Sequence, residues 1–123
     1  MHIGLSAVTG DLTVAVAFAD GNQVGVLDQA ASEMEAEVVK AGIKYVTGDL
    51  TFNVGIANGE SEDAAVGTAV SGADSKDVTS ASVSYAVASG VTAILGYTTM
   101  EAGDEGASVD DGSAWYIGAN MSF

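Results

Sequence analysis

The residues able to do chemistry are few and mostly acidic. The single histidine, His2, has no serine partner at a spacing that would make an acyl-transfer set, and the chain has no cysteine. No glycine run forms a dinucleotide- or phosphate-binding loop ahead of a helix. Asp104, Glu105, Asp110 and Asp111 form the densest acidic group, with Glu60, Glu62 and Asp63 second. Oxygen-rich loops hold calcium, so the first four are weak calcium candidates. Neither group has the spacing of an EF-hand loop, and a solvated acidic surface is the simpler account. Lys40 and Lys44 lie four residues apart, on one face of a strand if the segment is extended. There they either attract anions locally or merely solvate the face. No acid–base constellation stands out, which points away from an enzyme and from any firm cofactor.

The bulk numbers narrow the field. The 123 residues suffice for one domain, taken here as 1–123. Sixteen glycines are too many for a helical protein, because each costs about 1 kcal/mol inside a helix. Seventeen carboxylates against three lysines leave a net charge of −14. Without a basic stripe to displace phosphate counterions, nucleic acid is not a partner. No apolar run is long enough for a membrane-spanning helix. The start, MHIGLSAVTG, lacks the pattern of a signal peptide.

The elements that must position these residues follow from a repeat. Val-Thr-Gly-Asp-Leu-Thr occupies residues 8–13 and again 46–51, and a weaker copy runs over 82–98. Each copy reads as two strands around a tight turn, with Thr-Gly-Asp or Ala-Ser-Gly at its centre. The flanks alternate with period two, as in Leu12, Val14, Val16 and Phe18. Seven antiparallel strands are expected near 2–8, 11–19, 36–46, 50–58, 77–88, 91–100 and 113–123. The segment 23–29 is counted as loop. Tight turns alternate with long connections over 20–35, 59–76 and 101–112. All but two of the 17 carboxylates, Asp11 and Asp49, fall at the long-loop end.

One face of these strands is apolar and is expected to carry no charge. The other holds Lys40, Lys44, Asn53, Tyr116 and Asn120 among Ser, Thr and Gly. Tyr45, Tyr85 and Phe123 would mark the short-turn rim, and Phe18, Tyr97 and Trp115 the opposite rim. Alternation alone leaves two architectures open. In a soluble β-sandwich with an adhesive or structural role, the apolar faces form a core between two sheets. In an up-and-down transmembrane barrel they meet lipid, and the polar face lines a lumen. Sided loops, strand length and rim aromatics favour the barrel. A small complete barrel is a third reading, though seven is an odd strand count for one.

The last strand, GSAWYIGANMSF, resembles the closing strand of Gram-negative outer-membrane porins, with Met121 where that family often has Tyr. Hairpins such as GDLTVAVAFADG and the acidic loops are similar to porins of alphaproteobacterial type. The resemblance implies the last seven strands of a sixteen-stranded, trimeric barrel through which small hydrophilic solutes diffuse. It makes Trp115, Ile117, Ala119, Met121 and Phe123 the face read by the barrel-assembly machinery. It makes Lys40, Lys44, Asn53, Tyr116 and Asn120 pore-lining. It implies outer-membrane lipid and lipopolysaccharide as surroundings and the bacterial outer membrane as location.

Overall fold

A computed structural model describes the backbone of residues 1–27, 30–63, 73–104 and 108–122, and within these ranges all side chains except those of 22–27, 30–34, 62–63, 104 and 108–109. Seven strands follow one another: β1 (His2–Thr9), β2 (Leu12–Leu27), β3 (Ala30–Thr47), β4 (Leu50–Asp63), β5 (Ala73–Ala88), β6 (Val91–Asp104) and β7 (Ser108–Met121). They form one sheet in sequence order, every neighbouring pair antiparallel. All seven expected strands are present in the expected order. The sandwich is not: it needs a second sheet and a shared core, and among the described residues no hydrophobic side chain is buried.

The tight turns follow from local chemistry. β1–β2 and β3–β4 are joined by Gly-Asp pairs, with Gly10 at φ 58° and Gly48 at φ 56°. A positive φ is what primed hairpin turns require, and glycine adopts it without a Cβ clash. The Asp carbonyls are used alike in the two repeats: Asp11 O accepts from Val46 N and Asp49 O from Ala86 N, each at 2.9 Å. The third turn has Gly90 at φ 75°, beside a register shift between Ala86 and Ala88.

The other end differs from expectation. β2 reaches Leu27 and β3 begins at Ala30, so most of 20–35 is paired strand, including residues 23–27 of the segment counted as loop. β4 and β5 likewise extend to Asp63 and back from Ala73, and β6 and β7 to Asp104 and Ser108. What is left of the three long connections, 28–29, 64–72 and 105–107, lies outside the described residues. The cause is physical. A hydrogen-bonded ladder persists without apolar side chains, so the apolar pattern ends where the apolar surroundings end, not where the strand ends.

Register also fixes the slope of the strands. Leu12 pairs with Tyr45 while the next turn closes on Thr47 and Leu50; Leu50 pairs with Tyr85 while the third turn closes on Ala88 and Val91. The turns thus climb about five residues over four strands. With turns at one level, strand rise and spacing give a tilt of ~40°, within the range of barrels.

Candidate functional site

Pairing sorts the side chains onto two faces, and the central strand β4 shows what each face meets. Thr51, Asn53, Gly55, Ala57, Gly59 and Ser61 are half-buried, while Phe52, Val54 and Ile56 between them are 43%, 52% and 57% exposed. A soluble sheet does the reverse. Over residues 51–57 of β4 the small residues crowd together on the concave face, and the large apolar ones stand apart on the convex face.

On the concave face one row crosses six strands: Thr13, Lys44, Asn53, Ser82, Gly96 and Tyr116 are successive register partners. Asn53 Nδ2 donates to Ser82 Oγ at 3.4 Å. Tyr116 lies over Gly96, which is buried beneath the ring. In the next row Ser80 Oγ donates to the Gly55 carbonyl at 3.4 Å, and Thr98 Oγ1 donates to the Thr79 carbonyl at 3.2 Å. Lys40 stands one row further, between Ala17 and Ala57. Of the expected pore-lining set, Lys44, Asn53 and Tyr116 therefore share a row and Lys40 is close by. Asn120 pairs with Thr92 near the short-turn rim and stands apart from them. His2 is on this face at the other end, opposite Ala19. Ser82 and Gly96 complete the row. Their spacing in the alternating segments carried that signal, but only register shows which strand positions align.

On the convex face Trp115, Ile117, Ala119 and Met121 pair with Tyr97, Leu95, Ala93 and Val91. Trp115 is 72% exposed and Ile117 86%. Phe123 lies outside the described residues. Tyr97 and Trp115 stack with ring centroids 4.4 Å apart at 39°. Tyr45 and Phe52 face each other near the short turns.

The convex face is not free of charge, contrary to expectation. Glu37 and Asp77 project from it within the expected strands. They belong to two acidic ladders, Asp20–Glu37–Glu60 and Asp77–Glu101–Asp111, at the far end of the strands. Asn58 Nδ2 donates to Asp77 Oδ1 at 2.6 Å. Strands that outrun the apolar belt put carboxylates where water or headgroups receive them.

Of the four calcium candidates, Asp110 and Asp111 have described side chains. Asp110 pairs with Ala102 and Asp111 with Glu101, so the two side chains leave opposite faces. Of Asp104, Glu62 and Asp63 only the backbone is described, and Glu105 lies outside the described residues. Among the described residues no three His, Cys, Asp or Glu side chains are grouped so as to hold a metal ion.

No family model matches the sequence, and no curated protein does. Solved structures do match. The outer-membrane expressed OmpT of Vibrio cholerae superposes with a TM-score of 0.80 at 19% identity, over 99% of this chain and 40% of that one. Neisserial surface protein A follows at 0.44, 17% identity, 99% and 81% coverage, and Ail of Yersinia pestis at 0.41, 15%, 98% and 79%. At such identities the likeness is one of fold. The chain spans less than half the length of the Vibrio cholerae protein. Its fold is that of a segment of outer-membrane β-barrel wall, antiparallel and up-and-down. That fold, with an apolar convex face and a polar concave one, locates the chain to a bacterial outer membrane.

Proposed function

We propose that the chain is part of a porin: a wall of a water-filled channel through which small hydrophilic solutes and ions diffuse. The observation that carries this reading is the polarity of β4 over 51–57, where Thr51 and Asn53 are sheltered on the concave face while Phe52, Val54 and Ile56 are exposed. A narrow barrel fills its interior with side chains, whereas the small residues Gly42, Gly55, Ala57 and Ser80 leave the concave side open. β1 and β7 are the sheet's edges and run in the same direction. Antiparallel closure therefore requires an odd number of further strands, and nine would make the sixteen-stranded barrel of the porin pattern. On this reading the assembled protein is a homotrimer in lipid and lipopolysaccharide. The convex face of β7 is what the barrel-assembly machinery reads, and the chain has no catalytic role.

The test is electrical. The full-length protein in planar bilayers gives stepwise conductance in multiples of three, and migrates as a heat-dissociable trimer. A folded protein that inserts into bilayers without conducting ends the channel reading.

A further inference from the structure

We propose that Lys40 and Lys44 form an anion-attracting step on the inner wall, so that this wall favours small anionic solutes although the chain carries a net charge of −14. The inference rests on the channel reading and adds a substrate class to it. Its basis is that, among the described residues, the charges on the concave face at the height of the apolar belt are Lys40 and Lys44, whereas the concave-face carboxylates Asp74 and Asp110 lie at the rim. The acidic ladders Asp20–Glu37–Glu60 and Asp77–Glu101–Asp111 stand on the convex face, with the sheet between them and the lumen. Lys40 and Lys44 stand on the concave face within the apolar belt's height. Across the sheet Lys44 meets Thr13 and Asn53, and Lys40 meets Ala17 and Ala57; none is acidic. The third lysine is placed differently, lining a concavity at the rim together with Asp74 and Asp110.

Net charge is thus a poor guide to the field a solute meets. A carboxylate on the far face is screened by the electrolyte on its own side within about 8 Å at physiological ionic strength. An ammonium in the lumen acts directly on a passing ion. In water at ~10 Å, one charge changes the local concentration of a monovalent ion by about twofold, and two act together. Asn53 and Ser82, next in the row from Lys44, add an amide and a hydroxyl to hydrogen-bond carboxylate or phosphate oxygens.

The test is the reversal potential of the full-length protein in planar bilayers under a gradient of dilute KCl. Lys40→Gln with Lys44→Gln is expected to lower the chloride-to-potassium permeability ratio by about two- to fourfold. Each single change gives about half that shift on a logarithmic scale, which keeps the test decisive if the double variant does not assemble. Glu37→Gln with Glu60→Gln leaves the ratio unchanged. Conductance steps with an unmoved reversal potential in the lysine variants overturn this inference and spare the channel. Absence of steps in the unaltered protein removes both.

Discussion

The ring of Tyr116 lies across Gly96 on the neighbouring strand, so close that a Cβ built on Gly96 would overlap its Cζ and hydroxyl. The glycine supplies the depth and the tyrosine covers the backbone that the glycine leaves bare. Gly96→Ala must therefore push the ring off the wall and into the lumen. We expect a loss of about 0.5–1.5 kcal/mol, the cost of forcing the ring off its rotamer, because the obstructing atoms are the far end of a side chain that is 46% exposed. Tyr116→Ala in the same background should recover part of it, giving a coupling of at least ~0.5 kcal/mol. Urea unfolding in lipid vesicles across the double-mutant cycle measures this. Additive changes would mean that the ring does not depend on Gly96.

The polarity of the two faces makes a second prediction. Val54 is 52% exposed at the middle of the apolar run on β4, whereas Ala114 stands on the concave face beside Thr98. A lysine on a lipid face costs about 2–4 kcal/mol at mid-bilayer, and one in a water-filled lumen much less. Val54→Lys should destabilise the barrel by that amount, while Ala114→Lys should stay under ~1 kcal/mol. Equal losses at both sites would contradict the assignment of inside and outside.

What could be read ahead of the structure divides along physical lines. Alternation of Leu12, Val14, Val16 and Phe18 against small residues announced the strand and its lipid-facing side, because a bilayer imposes apolarity on every second residue. The Gly-Asp pairs announced the tight turns, because only glycine takes φ near 56–58° freely. The strand ends at Leu27, Asp63 and Asp104 were not legible. Beyond the bilayer a strand is held by backbone hydrogen bonds, and these leave no pattern in side-chain polarity. Glu37 and Asp77 were misassigned for the same reason. The row from Lys44 through Asn53 and Ser82 to Tyr116 was half legible: alternation gives the face, but only register gives the neighbours.

The turn glycines separate backbone strain from packing. A Cβ at Gly48 would meet nothing within 4 Å, so any cost of Gly48→Ala comes from φ 56° alone. A side chain in the left-handed region costs about 1–2 kcal/mol. Gly21 is equally open, lies in β2 and has no positive φ. There alanine removes unfolded-chain freedom and should be neutral or stabilising by up to ~1 kcal/mol. Comparing the unfolding midpoints of the two variants checks this, and a Gly21→Ala loss as large as that of Gly48→Ala would refute it.

The acidic ladders on the convex face carry the last prediction. Glu37 is opposite both Asp20 and Glu60, so three carboxylates stand in one cross-strand row. Like charges directly opposite on a sheet repel by a few tenths of a kcal/mol per pair. Their placement beyond the apolar belt keeps them in contact with electrolyte, which screens the repulsion. Glu37→Gln relieves two pairs at once and should stabilise the barrel at low ionic strength by about 0.5 kcal/mol. The gain should fade as salt is raised, because at 1 M the screening length falls to about 3 Å. Asp11→Asn, at the opposite end and in no such ladder, should show neither the gain nor its salt dependence. Unfolding midpoints for the two variants at low and high KCl decide it. A gain for Glu37→Gln that persists at high salt would point to side-chain packing rather than charge.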